Sequence, residues 1–302
     1  MVPMFYRVMC LFLLTALVPA PLFAFDLKEL RGTGIVVLYE SPLENAAKNV
    51  VQEYPEMKSE VQRKLQWNIL FTPTVILIHE NRKFLEETHS NLVTAFAVPD
   101  RNMIVVDYSK MERTPFDLRA TLEHEICHLV LHHYSKAAIP RWLDEGVAQW
   151  VSGGISDIIT QDGKDILKQA LLAGNLLPLK DISSRFPEEP REVLLSYEES
   201  KSFVEFITRE YGTANLVAIL HGLENNESVE QAVHENLATE LNFLEQQWIK
   251  GLPKKYSWPY YIADHIYGIL FFAAALTTLI GYVILKRRMK NYRDEGDDAT
   301  SP

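Results

Sequence analysis

The chain has 302 residues, 47% hydrophobic and 23% charged, with a formal net charge of −10. That length and composition fit one substantial globular domain with accessory segments. The acidic balance, with no basic stripe outside one short flank near the C-terminus, argues against a nucleic-acid partner.

The N-terminus carries Arg7, an apolar run from Val8 to Val18, and then Pro19-Ala-Pro-Leu-Phe-Ala24. This is the pattern of a secretory signal over residues 1–24, cut after Ala24, with an uncleaved anchor as the alternative because the positive charge is thin. Cys10 has no lipobox arrangement around it, which discounts a lipid anchor. With the signal removed, Cys127 is the one cysteine left, and no intramolecular disulfide can form.

Short apolar runs at Gly34–Tyr39 and Val75–Ile78 predict strands on either side of a helix that runs through Val61. Leu92–Ala97 and Met103–Asp107, joined by Pro99-Asp-Arg-Asn102, predict a turn-linked pair. Next, Thr114-Pro115-Phe116-Asp117 reads as a helix start, with Thr114 as N-cap and Pro115 at the first helical position. Nothing breaks that helix until about Tyr134. Leu118, Leu122, Ile126, Leu129 and Val130 recur at helical spacing and predict one apolar stripe.

On the side away from that stripe lie His124 and His128, the two histidines of His124-Glu125-Ile126-Cys127-His128. Histidines four apart on a helix are separated by only about 40° around its axis and can converge on one metal ion. Glu125 sits one residue along, where a carboxylate can reach a water on that metal. His132 continues the spacing but has rotated about another 40°, so it is read as solvent-facing or as a hydrogen-bond partner to the site. His133 is read as a surface residue. Cys127 sits about 100° back from His128 and is read as a small packing residue, not a thiolate ligand.

Pro140 to Val151 predicts a second helix, ended by Gly153-Gly154. Leu143, Val147 and Val151 form its apolar side and leave Glu145 and Gln149 one turn apart on another face. A connection of about ten residues lets this helix return across the first and aim Glu145 at the metal. Two imidazoles, a carboxylate and one open position are the donor set of catalytic zinc. Asp144 is the alternative ligand, or a partner for a histidine N–H; Gln149 is a further candidate for such a supporting bond.

His-Glu-x-x-His, a short gap and Pro140-x-Trp-Leu-x-Glu-Gly-x-Ala148 resemble the peptidase MA-like domain of the gluzincin zinc metallopeptidases. The similarity extends over roughly residues 33 to 251. It takes in the Ile35–Tyr39 and Thr74–Ile78 strands, a Phe84-containing loop, Ala95-Phe96-Ala97 and Met103–Asp107, and then Pro178–Ile182, Tyr197–Phe203, Tyr211-Gly212 and Trp248. The resemblance implies Zn2+ held by His124, His128 and Glu145, with Glu125 as general base. It also implies a zincin, thermolysin-like α+β fold, with a mixed-sheet N-terminal lobe, a central metal helix and a helical C-terminal lobe. In such folds an edge strand binds an extended peptide substrate, a role that falls here to Leu92–Ala97. Tyr197 is expected as the oxyanion donor, because it heads a helix where related enzymes bring up a phenol; packing is the alternative for a lone tyrosine. His221 and His234 are weaker rivals for that role.

Zinc so held polarises the scissile carbonyl and acidifies water, while Glu125 moves the proton to the leaving amine. The alternative is a non-catalytic module that uses the same scaffold to bind a cell-envelope partner. Retention of Glu125 favours the enzyme, because a structural zinc needs no such carboxylate.

Beyond Gly154 the chain reads as mostly helical, with amphipathic stretches at Ser202–Glu210 and Leu241–Trp248. Ile266 to Leu285 is twenty residues without a charge, enough to cross a bilayer as a helix. Lys286-Arg-Arg-Met-Lys290 and Arg293 follow directly, which predicts a cytoplasmic C-terminus. The expected organisation is therefore a catalytic domain over 25–255 outside the cytoplasm, a juxtamembrane segment 256–265 with interfacial Tyr256, Trp258, Tyr260 and Tyr261, a membrane span 266–285, and a tail 286–302. The acidic end of that tail, from Asp294, is expected to be disordered.

Overall fold

The computed structural model describes residues 27–79, 94–111, 117–154, 163–255 and 266–297. The expected signal segment, Phe84, Leu92, Thr114–Phe116 and the 256–265 segment lie outside those residues.

Five strands form one sheet: β1 (Leu27–Gly32), β2 (Ile35–Glu40), β3 (Thr74–Ile78), β4 (Ala95–Val98) and β5 (Met103–Asp107), in the order β1-β2-β3-β5-β4. The inner pairs β2–β3 and β3–β5 are parallel, and the two outer pairs are antiparallel. Position in the sheet explains the composition of each strand. Central β3 is buried on both faces, so Val75-Ile-Leu-Ile78 runs apolar without alternation. In β2 the inward residues are Ile35, Val37 and Tyr39, at a period of two. The hairpin strand β1 was not expected, because its charged Leu27-Lys-Glu-Leu-Arg31 face is largely exposed at a sheet edge. Gly34, at φ 77°, makes the turn that joins it to β2. Strand β4 forms the opposite edge.

Helix α1 (Glu44–Leu65) covers one face of the sheet through Ala47, Val50, Tyr54, Met57, Val61 and Leu65, spaced three or four residues apart. The metal-motif helix α2 (Leu118–Tyr134) starts one turn later than the sequence suggests. Asp117 is extended, at φ −128° and ψ 121°, and its carboxylate accepts from the Ala120 N–H, so Asp117 and not Thr114 is the N-cap. Nor is α2 amphipathic. Every residue from Thr121 to Leu131 is buried, because α1, β4, β5 and the next helix enclose it. The two histidines therefore open onto an interior site.

That next helix, α3 (Arg141–Ser152), ends at Gly153 with φ 83°, the left-handed stop that glycine adopts without strain. Lys64 Nζ, at the end of α1, donates to the Val151 carbonyl at 2.6 Å and satisfies an end group of α3. Among the described residues up to Lys255 there follow α4 (Gly163–Ala173), α5 (Pro190–Tyr211), α6 (Thr213–Glu224), α7 (Val229–Leu237) and α8 (Leu241–Lys255). The molecule is thus α+β, an N-terminal sheet followed by a mostly helical remainder. Trp142, Phe203 and Trp248 stack edge-to-face at 5.1 and 5.5 Å and join α3, α5 and α8. Trp67 lies flat between Tyr134 and His221, at 5.0 and 4.8 Å, and fastens the end of α2 to α6.

The tightest approach is that of α3 to α5. A Cβ on Gly146 would lie 2.5 Å from the Ser200 carbonyl oxygen and 2.7 Å from Val204 Cγ2. The first is backbone and cannot swing away. Gly146→Ala should therefore separate the helices and cost about 3 kcal/mol of stability. Denaturant unfolding of the two proteins measures it; a cost within ±0.5 kcal/mol, the range of an ordinary surface substitution, would refute this packing.

Helix α9 (Ile266–Asp297) contains Ile266–Lys286, an exposed apolar stretch long enough to cross a membrane. The helix continues to Asp297, so Asp294, Glu295 and Asp297, which were expected to be disordered, extend it; nothing in Lys286–Glu295 is a helix breaker.

Candidate metal centre

Helix α2 contributes His124, Glu125 and His128, and α3 crosses it to bring Asp144 and Glu145 alongside. His124 Nε2 and His128 Nε2 lie 3.2 Å apart. Glu145 Oε2 stands 3.4 Å from the first and 3.6 Å from the second. All three residues are buried, with Glu145 only 2% exposed. Two imidazole nitrogens and a carboxylate oxygen thus face one point, and Oε2 has no hydrogen-bond partner among the described residues. A buried, unpartnered carboxylate oxygen is costly unless a cation compensates it. The donor set therefore fits a divalent metal, and two nitrogens with one oxygen fit zinc.

The surroundings orient these donors. Asp144 Oδ1 accepts from His128 Nδ1 at 2.7 Å, which turns the Nε2 lone pair toward the shared point. Its Oδ2 lies 3.2 Å from His132 Nε2. Asp144 therefore faces two histidines and not the metal point, the partner role among the two open to it. His132 is half-exposed and joins the site through that carboxylate, and His133 is exposed. Cys127 is fully buried in the core, as its packing role requires. Gln149 donates to the Tyr197 carbonyl at 2.9 Å and so ties α3 to α5 beneath the site.

The charges reinforce one another. Burial opposes ionisation of Glu145, but His128, His124 and Arg141 outweigh it and hold the carboxyl well below its usual range. Burial likewise opposes ionisation of Asp144, and His128 and His132 overcome it. Glu125 behaves differently. Burial pushes its carboxyl up, only partly offset by the two histidines, which is the direction a proton acceptor near neutral pH requires.

Tyr197 lies in the interior of α5, two turns after Pro190, and does not head the helix. Its phenol nevertheless lies beside Glu145 and Arg141, and Glu145's charge followed by burial pushes its pKa up, so it remains a hydrogen-bond donor. His221 and His234 lie elsewhere: the first stacks on Trp67 and the second sits 3.0 Å from Glu240. Arg141 is the residue that sequence reasoning missed. Its Nη2 is 2.6 Å from Glu145 Oε1, and the four-residue spacing on α3 is the signal that could have found it.

The profile of the Peptidase MA superfamily matches residues 69–253, a stretch that contains every residue of this site. No curated protein matches the chain. Among solved structures it is similar to an M1 zinc metallopeptidase from Deinococcus radiodurans, at 13% identity and a TM-score of 0.47, covering 74% of this chain and 50% of that one. It is also similar to yeast LTA4 hydrolase in complex with bestatin, at 11% identity and a TM-score of 0.45, covering 76% of this chain and 37% of that one. The chain therefore spans about half the length, or less, of these structures.

Proposed function

The chain belongs to the Peptidase MA superfamily, and from that premise we propose that it is a zinc-dependent peptidase of the gluzincin type. His124, His128 and Glu145 hold the metal, and Glu125 is the general base. The observation that carries this reading is the convergence of His124 Nε2, His128 Nε2 and the unpartnered Glu145 Oε2, with Glu125 beside them. When bound, zinc would supply a Lewis acid that polarises the scissile carbonyl and makes water at the site acidic near neutral pH.

The chain's own residues do the rest. Glu125 accepts the proton of the attacking water, then passes it to the leaving amine. Tyr197, kept protonated by Glu145 beside it, donates to the oxyanion that develops on the carbonyl. Asp144 fixes the tautomer and direction of His128. Edge strand β4 offers main-chain groups to an extended peptide or protein substrate, in a thermolysin-like arrangement.

The proposed organisation has a signal at 1–24, a catalytic domain at 25–255 outside the cytoplasm, a span at 266–285 and a cytoplasmic tail from Lys286. The exposed apolar helix and its basic flank support it. The test uses the full-length chain in detergent with a peptide library. Chelation should abolish cleavage, and one equivalent of Zn2+ should restore it. If the zinc-loaded chain binds a partner yet cleaves no peptide, it is a binding scaffold and not an enzyme.

A further inference from the structure

We propose that Arg141 is a positioning residue of this centre: by occupying Glu145 Oε1 it leaves Oε2 as the one oxygen presented to His124 and His128, so that Glu145 serves as a single-oxygen ligand. The proposal rests on the zinc-site reading above. Arg141 Nη2 lies 2.6 Å from Oε1, while Oε2 faces both imidazoles without a hydrogen-bond partner among the described residues. The division of labour between the two oxygens is thus present in the geometry of the protein itself.

Arg141 is held in place on several sides. Its backbone N–H donates to the Ser183 carbonyl at 2.6 Å, which fixes the first turn of α3. Its guanidinium carbon lies 5.7 Å from the centre of the Phe186 ring, and that ring packs edge-on against Tyr197 at 5.1 Å. The guanidinium also lies beside the Tyr197 phenol. Its N–H groups can only donate, so toward this cation the phenol can act only through its oxygen, and the phenol proton stays available for another acceptor. The guanidinium thus pairs with Glu145 and stands beside the proposed oxyanion donor.

Two effects compete at this residue. The guanidinium charge opposes a nearby cation, whereas its pairing with Glu145 holds a buried carboxylate in one orientation. The pairing prevails, because without it the buried Oε1 has no partner and the carboxylate is free to turn both oxygens toward the metal. Lysine cannot fully replace the guanidinium, since an ammonium is a compact point donor without its planar, oriented N–H groups.

The full-length chain in detergent, stripped of metal and loaded with Co2+ alone, tests the proposal. Wild type should give the intense visible band of four-coordinate Co2+. In Arg141→Ala the band should weaken as Glu145 takes up two-oxygen coordination, and Co2+ should bind about 10–100-fold less tightly. Arg141→Lys should fall between the two in both readouts. Unchanged affinity and spectrum in Arg141→Ala would overturn the proposal. Should that variant fail to fold by circular dichroism, a wild-type spectrum and affinity in Arg141→Lys would overturn it equally. Absence of a Co2+ band in wild type is a different result, which removes the metal reading and this proposal with it.

Discussion

Replacing Glu125 by Gln is expected to lower kcat/KM for peptide hydrolysis by about 10²–10⁴-fold while the zinc content stays at the wild-type level. The amide matches the carboxylate in size and preserves packing at this 6%-exposed position, but it cannot accept a proton. Glu125 lies among His124, His128, Glu145 and Asp144, yet the three converging donor atoms come from His124, His128 and Glu145. Its loss should therefore remove proton transfer and leave the ligand set intact. Since the base acts in the transition state, kcat should fall and KM should hold. Parallel loss of zinc and activity would instead place Glu125 among the ligands.

The second large effect concerns stability. Glu199 is fully buried on α5, two residues beyond Tyr197, and its Oε1 accepts from the Leu177 N–H at 3.0 Å. Burial pushes its carboxyl up from 4.5 to about 8, with Leu177 opposing and the charge of Glu245 adding to the shift. The folded protein therefore holds this proton more tightly than the unfolded chain does. That contribution to stability is complete below about pH 4.5 and is lost progressively as pH rises to about 8. Over the whole interval it amounts to about 5 kcal/mol. Glu199→Gln stays neutral throughout. Its stability relative to wild type should grow from pH 5 to about pH 8 and then level off, as read from denaturant unfolding at each pH. A constant difference across that range would mean that Glu199 titrates normally.

Much of the centre was legible in the sequence because helical spacing and ligand chemistry are local rules. The four-residue interval between His124 and His128, the glycine stop of α3 and the Glu145 motif each carry their meaning without tertiary context. What the sequence hid depends on partners distant along the chain. A stripe of leucines cannot reveal that α2 is enclosed on its histidine side as well, since that enclosure comes from β4, β5 and α3. The β1 edge escapes a sequence reading because its charged residues show no apolar alternation and it pairs only with its neighbour β2. Asp117 caps the helix through its extended backbone, and Asp and Thr suit that role alike, so the sequence offered no choice between the two. The glycine at position 146 reads as part of a motif, but its cause is the Ser200 carbonyl of another helix. Arg141 lies one helical turn before the proposed ligand Glu145 and still carries no signal of which Glu145 oxygen it takes.

The most direct test of the central claim is anomalous scattering at the zinc edge from crystals of the zinc-loaded full-length chain. The account predicts one peak per chain, within coordination distance of His124 Nε2, His128 Nε2 and Glu145 Oε2, with Asp144 still bonded to His128 Nδ1. A peak ligated by Asp144 in place of Glu145, or no peak among these three residues, would contradict it.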